Sequence, residues 1–356
     1  LSHIQKIYYL IHDCKQYGTL PFAGIARCAF ISKSILDSIV SSKILDREEL
    51  KSFYLSLNTI SKEINNDFIR SKRNKSFVKF LNSYGHLRPS TYSISIDNYR
   101  DNFKYYFSNT NKNFKIKKGR KFSFSYKKIK KINLVFKKKG LDINFNDFIF
   151  FAKKSIEQRE KAKLIFSKSI DAVFDNLKKL AKEINLDFKD FEHLDIDLIM
   201  KSLNILEQDK LKKIIMENIR KNKKNYNFSK YIKTPDIILS ENNFNFFYED
   251  ITKENYVTEN EISSEIIFFN HKTNFKKFNN KIVVLENADP GFDFLFSYQI
   301  KGIITKYGGA NSHMAIRCME LDLPSIIGIG EKKFEELKKH KKIYINCINK
   351  TYKLIQ

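Results

Sequence analysis

Tryptophan is absent from this chain of 356 residues, and cysteine is scarce, with four copies. Cys14, Cys28, Cys318 and Cys347 lie far apart and form no C-x-x-C pair. That spacing argues against a zinc site or a disulfide framework and fits a reducing cytoplasm. No apolar run approaches the length of a membrane-spanning helix. The opening LSHIQKIYYLIHD carries polar residues inside its apolar stretch and has no small-residue cleavage site, so it does not read as a secretory signal. No glycine-rich phosphate loop is present, and no metal-ligand cluster is evident. The first residue is Leu rather than Met. The expectation is a chain cut from something longer.

Acidic residues are also in deficit. Lys and Arg number 65 against 40 Asp and Glu, giving a net charge of +25. From Asn279 to the end there are 12 basic and 8 acidic residues, so most of the excess lies upstream. It peaks in Lys112 to Lys139, with 13 basic residues and no acidic one. Such a run can be a solvated surface, can attract a phosphorylated or nucleotide-bearing partner, or can bind nucleic acid. No nucleic-acid recognition motif accompanies it.

What is present divides into zones. From residue 1 to about 225 apolar residues recur at three and four positions, as in Ile35, Leu36, Ile39 and Val40, which is helical spacing. Phe148 to Ile184 reads as one long helix. Tyr17 to Gly24 (YGTLPFAG) reads as a bend, since it holds Gly and Pro. The basic stretch near 108–140 reads as a connector between helical blocks. From 226 to 280 the helical period fades, predicting a linker with short strands. From 281 to 356 short apolar runs (KIVVLE, GIITKY, PSIIGIG, KIYINC, TYKLIQ) alternate with turns and read as strands, with helices at Ser312 to about Leu321 and Glu331 to Lys339. The expected fold class is α+β and multidomain: a mainly helical domain, then a small β/α domain.

One segment points to chemistry: Gly302 to Gly330, GIITKYGGANSHMAIRCMELDLPSIIGIG. A strand ends, Gly308 and Gly309 supply conformational freedom, and Asn311 or Ser312 can cap a helix. His313 then falls in the first turn, where unpaired N–H groups and the helix dipole favour a phosphate. An imidazole there can act as a covalent carrier. Physics alone leaves this even with the plainer reading of a capping or satisfied polar histidine.

The segment resembles the phosphohistidine signature of the swivelling domain in phosphoenolpyruvate-utilising enzymes, which include phosphoenolpyruvate synthase, pyruvate phosphate dikinase and rifampicin phosphotransferase. The resemblance rests on Gly308, Gly309, Ser312, His313, Ala315, Ile316, Leu321, Pro324 and Gly328. It implies that His313 carries a phosphoryl group, with Gly308, Gly309, Asn311, Ser312 and Arg317 around the phosphate. Two departures stand out: Asn311 replaces the usual Thr, and Met319 stands where the family commonly has an Arg. Arg317, one turn after His313, can pair with the phosphate instead or be a structural residue.

The resemblance further implies ATP and Mg2+ on an ATP-grasp domain, which would precede this sequence and be a partner on the same polypeptide. The segments GTLPFAGIARCAF, GHLRPSTYSIS, REKAKLIFSKS and ENADPGFDFLFSYQ are similar to a capsule-biosynthesis subgroup typified by L-glutamine kinases. This makes the side-chain amide of L-glutamine the favoured acceptor, with AMP and inorganic phosphate as co-products and a capsular phosphoramidate as the destination. The alternatives are a rifampicin-type antibiotic phosphotransferase and a non-enzymatic basic carrier or binding module. For the acceptor, His86 can move a proton and Arg88 can bind a carboxylate as a fork, beside Thr91 and Tyr92. A capped helix boundary with a surface Arg is the plainer account. Arg27 and the cluster Arg159, Glu160 and Lys163 are further candidates, the last two equally readable as a surface ion pair.

Overall fold

The computed structural model describes residues 1–89, 92–107, 123–205, 207–232, 238–244, 254–270, 275–310 and 312–355. The helices of these residues are α1 (His3–Asp13), α2 (Leu20–Ser41), α3 (Arg47–Ser56), α4 (Ile60–Arg73), α5 (Val78–Tyr84), α6 (Phe103–Phe107), α7 (Tyr126–Lys138), α8 (Phe145–Glu183), α9 (Ile196–Lys201), α10 (Gln208–Ser229), α11 (His313–Glu320) and α12 (Glu331–Leu337). The strands are β1 (Asn255–Val257), β2 (Glu261–Phe268), β3 (Ile282–Leu285), β4 (Gly302–Thr305), β5 (Ser325–Ile327), β6 (Lys342–Asn346) and β7 (Thr351–Ile355). The fold is α+β. No helix among the described residues is long and apolar enough to cross a membrane.

The chain divides into two compact units, and neither is continuous in sequence. One comprises His12–His86 and Lys112–Ser169 and is helical where described. Its core gathers Leu36, Ile39, Phe53 and Leu57 with Ile132, Phe136, Phe145 and Phe148. The basic run, expected as a connector, is a helix from Tyr126 onward. Ile132 and Phe136 stand one turn apart and are buried, so the lysines fall on the remaining faces. Residues 108–122 lie outside the described residues.

The segment Tyr17 to Gly24, expected as a bend, is helical. Cys14–Thr19 makes a π-helical turn that leads directly into α2. Pro21 sits in the first turn of α2, directly after that π-helical turn. Gly18 lies against Phe166, whose Cβ would be 2.7 Å from an added Cβ, so here glycine serves close packing.

The other unit comprises Leu1–Ile11, Leu87–Asn111 and Ile170–Gln356. Ile4 and Ile7 pack with Val173, Leu177 and Leu180 of α8 and with Leu211, Ile215 and Ile219 of α10. The same unit holds a seven-stranded sheet in the order β1-β5-β4-β3-β2-β6-β7. β2, β3, β4 and β5 run parallel, and β1, β6 and β7 add antiparallel edges. Every residue of β3, β4 and β5 is buried, which is why these strands read as unbroken apolar runs. β1 and β2 fall in the stretch expected as a linker with short strands, and both join the sheet upstream of Lys281. The chain leaves β4 at its carboxyl end and returns through α11 to β5, which places the loop before α11 where parallel sheets present ligand sites.

Candidate active site

The loop after β4 is closed by its glycines. Gly308 has φ +133°, and a Cβ on it would sit 2.8 Å from the Ala288 methyl group. Gly328, after β5, has φ +74°, and a Cβ there would overlap the carbonyl oxygen of Gly308. The Gly328 N–H donates to the backbone oxygen of Thr305 at 3.1 Å and to its Oγ1 at 3.0 Å. Gly308 and Gly328, on either side of His313 in sequence, therefore meet in space, whereas a Cβ on Gly309 would meet nothing within 4 Å.

Ser312 caps α11, its hydroxyl accepting from the Ala315 N–H at 3.3 Å. His313 is the first helical residue and only 6% exposed. Its Nε2 lies 2.7 Å from Oδ1 of Asp293. Asp293 sits on a short 3₁₀ helix, Pro290–Ser297, which Asp289 opens by accepting from the Gly291 N–H at 2.9 Å. A carboxylate in this position accepts from a protonated Nε2, and which ring nitrogen bears hydrogen depends on the tautomer.

Arg317 is buried, not on the surface. Its Nη1 donates to Glu320 Oε2 at 3.0 Å, and its guanidinium lies 4.9 Å from the Phe296 ring centroid. Its Nε is 3.8 Å from Asp293 Oδ1, beyond hydrogen-bond range. Arg317 Nε and Asp293 Oδ2 are both buried and have no hydrogen-bond partner among the described residues. Buried polar atoms of this kind are normally paired, so the cluster has capacity for a further polar group. Beside it, Cys318 is fully buried, and burial pushes its thiol up to about 12, so it is not a nucleophile near neutral pH.

Arg88, expected as a fork for an acceptor, is also buried. Its guanidinium donates to the Asp171 carboxylate and, at 3.0 Å, to the Ile96 carbonyl, and lies 4.9 Å from the Phe174 ring centroid. Asn98 Nδ2 donates to both Asp171 oxygens, at 3.0 and 3.3 Å. Arg88 also borders a cavity of about 260 Å³, whose walls include Asp97, Asp101, Phe174, Asp175, Lys178 and Lys189. Desolvation, followed by the charges of Asp171 and Asp101, raises the Asp175 carboxyl above the usual range.

His86 lies in the helical unit, with Nε2 at 3.0 Å from the Leu164 carbonyl and 3.1 Å from Ser167 Oγ. It is not among the residues lining the cavity. Arg159 pairs with Glu160 at 3.0 Å, both nearly buried. Arg27 is exposed on α2, and Tyr92 is exposed. Thr91 and Asn311 lie outside the described residues.

Asp293, Glu320 and Asp171 were not singled out by sequence reasoning. Asp293 had a visible signal: an acid between Phe292 and Phe294, inside an apolar run. A comparison with curated proteins gave no match to the chain. Residues 278–350, which contain Asp293, the glycine turn, His313, Arg317 and Glu320, match the family model for the mobile domain of PEP-utilising enzymes, and the match supports that family for this segment.

Proposed function

We propose that this protein is a phosphotransferase in which His313 receives a phosphoryl group and delivers it to a small acceptor. The observation that carries the reading is the pairing of His313, at the first position of a capped helix, with the buried carboxylate of Asp293. The helix start offers N–H groups and a favourable dipole to an arriving phosphate. The match of residues 278–350 supports the same reading. ATP with Mg2+ is the donor, held by an ATP-grasp domain of the same polypeptide, and AMP and inorganic phosphate are co-products. The reducing cytoplasm is its compartment.

The acceptor we favour is the side-chain amide of L-glutamine, in a route to a capsular phosphoramidate. The charged cavity beside Arg88 supports a small zwitterionic acceptor over a bulky antibiotic, which needs a large apolar pocket. An amide nitrogen is a weak nucleophile, so the site must position it closely and assist loss of its proton. His86 is the proposed assisting group on sequence grounds.

The test uses protein expressed from the complete reading frame, with ATP, Mg2+ and candidate acceptors, followed by phosphorus NMR. The expected result is acid-labile phosphate on His313 that disappears in His313→Ala, and a phosphoramidate signal that requires glutamine. A signal with rifampicin and none with glutamine overturns the acceptor. Absence of label on His313 overturns the reading. His86→Ala that turns over glutamine at the normal rate removes His86 from it.

A further inference from the structure

Building on His313 as the phosphoryl carrier, the remaining question is where its proton goes. A histidine nitrogen that bears hydrogen has no in-plane lone pair and cannot attack phosphorus. In this structure Nε2 faces Asp293 Oδ1 at 2.7 Å, with the two side chains 5% and 2% exposed. No water channel is needed for the exchange, because donor and acceptor are already in contact.

We propose that Asp293 is the catalytic base of the loading step: it takes the Nε2 proton of His313 and turns off the lone-pair axis, and that nitrogen then attacks phosphorus. With Nδ1 also protonated, the pair begins as imidazolium and carboxylate. Transfer of the Nε2 proton to Asp293 leaves a neutral imidazole with a lone pair on Nε2 and a neutral carboxylic acid. The Nε2–P bond then forms. The bond from phosphorus to the leaving group breaks, and its electron pair departs with that group.

The transfer also solves an electrostatic problem. A phosphoryl group on Nε2 would otherwise arrive beside a buried carboxylate of like charge. As an acid, Asp293 offers a hydrogen to a phosphoryl oxygen instead of repelling it. Asp293 Oδ2 has no hydrogen-bond partner among the described residues, so the carboxyl group is not fully engaged in holding its own loop. Arg317 Nε, likewise unpartnered and 3.8 Å from Oδ1, is placed to neutralise further charge.

Asp293→Asn separates this role from a structural one. The amide oxygen still accepts from Nε2, but it cannot take the proton. Wild type, Asp293→Asn, Asp293→Glu and His313→Ala are each exposed to ATP–Mg2+, as protein from the complete reading frame, and in parallel to phosphoramidate, a small donor that releases ammonia. Phosphate on the His313 peptide is followed by mass spectrometry, and folding by circular dichroism. Asp293→Asn is expected to keep its fold and to load His313 about 100-fold more slowly, the scale of a lost general base. Asp293→Glu is expected to restore part of the rate. Should the Asn variant not fold, Asp293→Thr serves, because a hydroxyl accepts the hydrogen bond without acting as a base at neutral pH. A folded Asn or Thr variant that loads at the wild-type rate overturns the role of Asp293 and leaves His313 as carrier. Failure of wild type to load His313 from either donor overturns the carrier reading, and this inference with it.

Discussion

Replacing Arg88 with methionine removes the cation that neutralises Asp171. Both side chains are nearly excluded from water, at 7% and 6% exposure. Once Arg88 is gone, the Asp171 carboxylate keeps, among the described residues, the two Asn98 contacts at 3.0 and 3.3 Å. Removing one partner of a buried ion pair costs about 3–5 kcal/mol, because the other charge is left uncompensated. The Asn98 donors soften this, so a loss of about 3–4 kcal/mol is expected. With a urea slope of about 2 kcal/mol per molar, the unfolding midpoint falls by about 1.5–2 M. The chain has no tryptophan, so the transition is followed by far-ultraviolet circular dichroism. The double change Arg88→Met with Asp171→Leu removes both charges and is expected to unfold within about 1 M of wild type. The reasoning is refuted if Arg88→Met leaves the midpoint in place, or if the two single losses simply add in the double variant.

The other predictions concern neighbouring groups. Gly328→Ala places a side chain at φ +74° and against the Gly308 carbonyl, and is expected to cost more than about 1 kcal/mol in urea unfolding and to slow phosphate loading of His313. Asp175 has a folded carboxyl raised above its unfolded value, so its charge opposes folding above that raised value, and the penalty fades as pH falls towards the unfolded value near about 4. Asp175→Asn is therefore expected to raise the urea midpoint at pH 7 and to leave it unchanged at low pH; an equal gain at both would refute this. Cys318, pushed up to about 12, holds roughly a thousandfold less thiolate at pH 8 than an ordinary thiol, so iodoacetamide is expected to label it only after unfolding, as read by peptide mass spectrometry.

The strands and helices of the last eighty or so residues were legible because local pattern and tertiary role agree there. Ile282 to Leu285 reads as a buried strand and is one. The start of α11 at His313 was legible for a similar reason: a capping Ser is a local signal. What escaped was long-range. Nothing near His313 in sequence announces Asp293, 20 residues earlier on a separate 3₁₀ helix. Arg88 was noticed, but its partner Asp171, 83 residues away, was not. The basic run misled because charge hides a helical face when only two of its residues, Ile132 and Phe136, are buried. The Gly and Pro of YGTLPFAG misled because the π-helical turn Cys14–Thr19 carries the chain straight into α2 with Pro21 in its first turn.

Arg88 and His313 are also joined by packing, which affects how any Arg88 variant is read. A Cβ on Gly291 would overlap the Arg88 carbonyl, so the backbone after β3 touches the Arg88 loop directly. Tyr99 reinforces that contact by donating to the Gly291 carbonyl at 2.8 Å. Two residues later in the same 3₁₀ helix comes Asp293, which holds His313. A change at Arg88 that shifts its loop therefore reaches Asp293 through Gly291, without Arg88 touching an acceptor. The two routes predict different kinetics. Loss of an acceptor contact raises KM for the acceptor and leaves loading of His313 at its normal rate. A disturbance passed through Gly291 slows loading itself, even with no acceptor present. Gly291→Ala supplies the reference, since it strikes the joint and leaves the Arg88 side chain intact. If Arg88→Met slows loading as Gly291→Ala does, Arg88 acts on His313 through the backbone. If Gly291→Ala folds and loads normally, the joint carries no such effect, and a loss in Arg88→Met belongs to the acceptor.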